Sequence, residues 1–123
     1  MSKRIVLADD EQFITIAYKD GLTRAGFTVV VAHDGAEALD AVRREKPDLV
    51  LLDLIMPKMT GFEVLKTLKA DTSTANIPVV ILSNLSQATD EAEVQKLGAT
   101  DFLVKSDLSL EELVQRINTL LGQ

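Results

Sequence analysis

Cysteine is absent from the 123 residues. That excludes disulfides, thiolate nucleophiles and zinc–thiolate centres. Histidine occurs once, at His33, so a histidine-rich metal site cannot form. Positive charge is in deficit: 13 Lys and Arg against 19 Asp and Glu leave a net charge of −6. A domain of that sign repels phosphate backbones, so no nucleic acid binding by this domain is expected. Long hydrophobic runs are missing too, and no apolar stretch approaches a membrane span. The basic Met1-Ser2-Lys3-Arg4 leads into a short apolar stretch that ends at Asp9, too short for a signal-peptide core. A cytoplasmic protein without membrane attachment is expected.

What is present describes one globular domain. The chain is 46% hydrophobic and 26% charged, and its length suffices for one continuous core. No linker, repeat or low-complexity tract interrupts it. The expectation is a single domain over residues 1–123, with no output domain.

Strand-like and helix-like segments alternate five times, the pattern of an α/β fold with a parallel sheet. The strand segments are rich in Val, Ile and Leu on both faces, as in strands covered by helices on both sides. Ser109 with Glu112, and Thr60 with Glu63, read as capping boxes. Gly26 and Gly98 stand where the first and fourth helices should stop, and Pro47 forces the exit from the second. The last helix has the clearest apolar stripe: Leu110, Leu113, Val114, Ile117, Leu120 and Leu121. The first offers Ile14, Ala17, Gly21, Leu22 and Ala25. The fourth has only Ala92, Val94 and Leu97 and should be marginally packed.

Four of the five strand runs end in a polar residue capable of chemistry. Ile5-Val6-Leu7-Ala8 runs into Asp9-Asp10, and Leu49-Val50-Leu51-Leu52 into Asp53. Val79-Val80-Ile81-Leu82 runs into Ser83, and Phe102-Leu103-Val104 into Lys105. Each alone has an ordinary explanation: an Asp after a strand makes a turn or caps a helix, as Asp10 would, and a lone Lys is solvated. Jointly they point elsewhere, because ligands of open parallel sheets bind at strand carboxyl ends near the reversal of strand order. Carboxylates without His or Cys favour Mg²⁺, with Mn²⁺ as the alternative. A lysine ammonium and a serine hydroxyl suit phosphate oxygens. A carboxylate such as Asp53 can attack phosphorus to give an aspartyl phosphate.

The same residues resemble the receiver domain of two-component response regulators, of the kind that regulates chemotaxis, over nearly the whole chain. The matching segments are Ala8-Asp9-Asp10-Glu11, Asp34-Gly35-Ala36-Glu37-Ala38-Leu39, and residues 47–57 around Asp53. Thr60-Gly61-Phe62-Glu63-Val64, Pro78–Ser83 and Gly98–Lys105 complete the set in order. The resemblance implies a flavodoxin-like (βα)5 fold, doubly wound, with strand order 2-1-3-4-5. It implies that Asp53 is the phosphoacceptor and that Asp10, Asp53 and the Ile55 backbone carbonyl bind Mg²⁺, with Asp9 acting through water. Ser83 and Phe102 would be the switch pair, and Lys105 the phosphoryl contact. The implied phosphodonor is a histidine kinase or histidine phosphotransfer protein. The implied output is a downstream protein target, or a self-dimer, bound through the fourth helix, fifth strand and fifth helix. Enzymatic action would be limited to the domain's own phosphorylation and dephosphorylation.

Two positions depart from the family pattern. Ser106 follows Lys105 where the family usually has Pro after a cis peptide, so the bond is either trans or strained. Asn84 follows Ser83 where the family has a small residue, which narrows access. Ile55 and Leu85 stand where the family lines the path of hydrolytic water. Neither side chain can orient water, so slow self-dephosphorylation is expected. Two alternatives stay open: a receiver-like interaction domain independent of phosphorylation, and a Mg²⁺-dependent phosphohydrolase with an Asp nucleophile. The second lacks the expected acid/base Asp, since Ile55 occupies that position. A flavin module would need a phosphate-binding loop where Asp9-Asp10-Glu11 stands. Of the remaining residues, His33 reads as a turn residue. Tyr18 reads as partly packed, and Met56 and Met59 as loop packing or part of a partner surface.

Overall fold

The computed structural model describes residues 2–84 and 88–123. Its elements alternate from end to end: β1 (Arg4–Ala8), α1 (Gln12–Arg24), β2 (Thr28–Ala32), α2 (Gly35–Glu45) and β3 (Leu49–Leu52) come first. Then follow α3 (Gly61–Ala70), β4 (Val79–Ser83), α4 (Ala88–Lys96), β5 (Asp101–Val104) and α5 (Leu110–Leu120). The five strands are parallel in the order β2-β1-β3-β4-β5, as expected.

Period-two alternation divides each apolar strand between two cores. Val6, Ala8, Val50, Leu52, Val79 and Ile81 face one side, where α2 and α3 add Ala38, Val42, Val64 and Leu65. Ile5, Leu7, Leu49, Leu51, Val80 and Leu82 face the other, where Leu22 of α1 and Leu113 and Ile117 of α5 meet them. Because both faces are covered, β3 and β4 are buried at every position.

The helix signals act as read. Both capping boxes form, with Thr60 and Ser109 accepting from the N–H groups of Glu63 and Glu112. Gly26 and Gly98 adopt φ of 102° and 101°, the left-handed region that glycine enters without a Cβ penalty. Among the described residues, no helix is long and apolar enough to cross a membrane.

The stripe of α1 differs from expectation. Of the expected stripe, Leu22 is buried and Ile14 and Gly21 are half-buried, but Ala17 and Ala25 are exposed, and Thr15 and Tyr18 turn inward instead. Apolar residues are scattered around this helix, so composition alone does not select its face. Thr15 can be buried because its hydroxyl donates to the Gln12 carbonyl at 2.9 Å. Phe13 and Ile16 are left 91% and 67% exposed. In α4, Ala92 is exposed; Val94 is buried and Leu97 partly so.

Candidate functional site

Parallel register builds the site. Ala8 pairs with Leu52, so the next residues, Asp9 and Asp53, leave adjacent strands side by side. The backbone N–H of Asp53 donates to the Ala8 carbonyl at 2.9 Å, and that of Asp9 to Ala32 at 3.0 Å. Ser83 pairs with Val104, which delivers Lys105 on the far side of β4. Strand order reverses about β1 and β3, the point where open α/β sheets form clefts.

Asp9, Asp10 and Asp53 each contribute a carboxylate oxygen to a group lying within 4.8 Å of one another. Asp9 and Asp53 are buried, and Asp10 is exposed. Lys105, also buried, donates from Nζ to Asp9 Oδ2, to Asp53 Oδ2 at 3.2 Å and to Glu11 Oε1 at 3.5 Å. One ammonium therefore faces more carboxylates than it can neutralise. Burial pushes the Asp53 carboxyl above its ordinary pKa; the Lys105 charge opposes this and Asp9 adds to it. Burial works against the Lys105 charge, but the hydrogen bond to Asp9 and attraction to Asp53 outweigh it and raise its pKa.

This donor set fits a hard cation. It is all oxygen and carries excess negative charge, the chemistry that Mg²⁺ prefers.

The loops are shaped for this cluster. The Asp10 side chain does not cap α1: Glu11 holds the N-cap position without a side-chain bond. The Glu11 N–H instead donates to Asp9 Oδ1 at 2.9 Å, which folds the loop around the buried carboxylate. After Asp53, the N-terminus of α3 crosses directly over the chain. A Cβ on Gly61 would lie 2.2 Å from the Asp53 carbonyl oxygen, so glycine is required there. The peptide bond after Lys105 is trans, and a short 3₁₀ turn over Lys105–Asp107 carries the chain onward.

The resulting pocket, of about 210 Å³, is lined by Asp10, Glu11, Asp53, Ile55, Ser83 and Asn84. A larger groove of about 710 Å³ runs between α1 and α5. Two of its lining residues, Asp20 and Arg24, pair with each other at 3.0 Å, and it contains none of the clustered site residues. The small charged pocket is therefore the candidate site. Phe102 is half-buried on β5 and packs against the core shared with α2 and α3. Leu85 lies outside the described residues. His33 is exposed in the turn before α2, Tyr18 is half-buried, and Met56 and Met59 pack the loop after Asp53.

Two features in and around the pocket were not legible as site residues in the sequence. Glu11 was visible only as a neighbour of Asp9-Asp10, and its approach to Lys105 depends on the loop conformation. The requirement for Gly61 arises from a backbone crossing that leaves no local signal beyond the glycine itself.

Residues 5–118 match the response regulator receiver domain. Response regulator MprA of Mycobacterium bovis is 34% identical over 121 residues, covering 98% of this chain and 51% of MprA. The alkaline phosphatase synthesis transcriptional regulatory protein PhoP of Bacillus subtilis is 36% identical, covering 98% and 49%. The receiver domain of Francisella response regulator 1452 superposes with a TM-score of 0.90 at 33% identity, covering 98% of both chains. The chain spans about half the length of the curated relatives it matches. With the fold, the acidic cluster and this likeness in agreement, the chain belongs to the receiver domain family of two-component response regulators.

Proposed function

We propose that Asp53 accepts a phosphoryl group from the phosphohistidine of a histidine kinase or phosphotransfer protein, and that this changes how the domain binds a partner. The observation that carries the reading is the placement of Asp53. Its carboxylate is buried at the end of β3, opens onto a pocket, and lies 3.2 Å from the Lys105 ammonium beside two further carboxylates. Asp10, Asp53 and the Ile55 carbonyl would hold Mg²⁺, with Asp9 acting through water. The ion, when bound, would offset charge on the phosphoryl oxygens.

The chain's own residues do the rest. Asp53 is the nucleophile. Lys105 Nζ, already within reach of Asp53, neutralises a phosphoryl oxygen. The Ser83 hydroxyl, on the pocket wall, donates to another. Phe102, half-buried one strand away, follows Ser83 when that hydroxyl turns. The Ile55 side chain, 60% exposed at the rim, offers water no hydrogen bond, which favours a long-lived phosphoryl group.

Output through α4, β5 and α5 is supported by the uneven packing of α4, which buries Val94 and little else among its described residues. Segments that switch come from the weakly held parts of a fold. A protein phosphodonor is supported by apolar Phe13, Ile16 and Ile55, exposed on the rim and on the first turns of α1.

The test is intact-mass spectrometry after incubation with acetyl phosphate, with Mg²⁺ or EDTA, on the native chain and Asp53→Asn. One phosphoryl adduct requiring both Mg²⁺ and Asp53 is expected. No adduct, together with no response to beryllofluoride, would leave a phosphorylation-independent interaction domain as the better reading.

A further inference from the structure

Glu11 has no part in the phosphoryl chemistry above, yet it stands at its entrance. Its side chain is 48% exposed, lines the pocket, and reaches Lys105 Nζ at 3.5 Å. The pocket wall carries three carboxylates, of Asp10, Glu11 and Asp53, and no cation among the described residues; Lys105 lies behind them. A donor that enters this pocket, and the leaving group it releases, meets these carboxylates. Glu11 is the rim carboxylate not already assigned to the metal or to the phosphoryl group.

We propose that Glu11 is a specificity-determining residue that selects nitrogen-linked phosphoryl donors over acyl phosphates. The inference rests on the reading of Asp53 as phosphoacceptor. In both reactions one bond forms, from an Asp53 carboxylate oxygen to phosphorus, and the transferred group is the same. The bond that breaks differs. An acyl phosphate breaks its P–O bond and releases a carboxylate anion, which keeps the bonding pair and meets the Glu11 carboxylate on the way out. Phosphoramidate, whose nitrogen carries three protons in its zwitterionic form, breaks its P–N bond; the nitrogen keeps the bonding pair and leaves as neutral ammonia, whose N–H groups can donate hydrogen bonds to Glu11 and which meets no like charge there. A phosphoimidazole breaks its P–N bond in the same way and releases its imidazole as a nitrogen base. Like charges at the mouth therefore slow one class, while the other is tolerated or drawn in.

The experiment compares initial rates of Asp53 phosphorylation by acetyl phosphate and by phosphoramidate, read by intact mass at saturating Mg²⁺. It uses the native chain, Glu11→Gln and Asp53→Asn. Glu11→Gln keeps shape and removes charge at a half-exposed position, so the fold should be unaffected. The phosphoramidate-to-acetyl-phosphate rate ratio is expected to fall roughly five-fold in Glu11→Gln, mainly because acetyl phosphate reacts faster. Added salt should lower the ratio in the native chain more than in the variant. An unchanged ratio overturns the proposal, including the case where both rates rise together because Lys105 has lost a competing partner. The parent reading fails differently: no adduct from either donor, or an adduct that persists in Asp53→Asn, overturns both.

Discussion

Leu52 and Asp53 are consecutive, both buried, and opposite in what burial does to them. Leu52 is fully buried at the end of β3, in the core that α2 and α3 cover. Asp53 is 5% exposed, beside Asp9 and Asp10, with Lys105 as its buried counter-charge. Burial stabilises the first residue, whereas for the second it disfavours the ionised form that the chemistry needs. The boundary between scaffold and site is thus one peptide wide. The apolar strand holds the carboxylate rigidly, and the carboxylate draws on stability that the strand supplies.

Substitutions on either side of this boundary should separate the two roles. The largest effect is expected on the apolar side. Leu51→Ala, at a fully buried position of β3, should lower unfolding stability by about 3 kcal/mol in urea titrations, through lost burial and the cavity left behind. Lys105→Met comes close behind. It leaves the Asp9 and Asp53 carboxylates buried without their ammonium, and should lower stability in EDTA by about 2–3 kcal/mol. Excess Mg²⁺ should recover part of that loss, because a cation bound only by the folded state stabilises it. Leu51→Ala should gain from Mg²⁺ only as much as the native chain does, so its deficit persists, and this contrast is the sharpest check on the boundary.

Asp53→Asn should act in the opposite sense, raising stability at neutral pH by about 1 kcal/mol while abolishing phosphorylation. The sign follows from linkage. The native pKa of Asp53 is raised above its ordinary 3.8, so the folded state holds a proton that the unfolded state has already released. Stability is therefore lost as pH rises from about that value through the raised native pKa, and stays lower above it. The melting temperature of the native chain relative to Asp53→Asn should fall across that window in EDTA, and the difference should shrink with Mg²⁺. Lys105 contributes with the same sign at higher pH. Its raised pKa lends stability that is complete below 10.5 and lost as pH climbs through the native value.

The smallest stability effect belongs to the exposed apolar side of α1. Phe13→Ala should change stability by less than about 0.5 kcal/mol, since the ring is 91% exposed. If that ring meets a protein phosphodonor, the same change should slow phosphotransfer from a phosphorylated kinase or phosphotransfer domain and leave labelling by acetyl phosphate unaltered. Equal slowing with both donors would mean that Phe13 acts on the pocket rather than on a docking partner.

Much of this was legible in the chain before its tertiary structure. Strand runs ending at Asp53, Ser83 and Lys105, the boxes at Thr60 and Ser109, and the stops at Gly26 and Gly98 are local signals governed by backbone sterics, hydrogen bonding and alternation of apolar residues. The face of α1 was not legible. Ile14 and Ala17 offered as good a stripe as Thr15 and Tyr18, and only packing against α5 and the sheet chose between them.

The sequence by itself determined which segments become strands and helices, and which polar residues stand at the strand ends. The likeness of its segments to a family supplied the strand order. Tertiary structure alone decided the distances. Lys105 meets Asp9 across 96 residues of sequence, Glu11 reaches the same ammonium, and Gly61 lies against the Asp53 carbonyl. Those contacts depend on the register of parallel strands and on loop conformations, which are settled by burial of both sheet faces at once rather than by any local pattern.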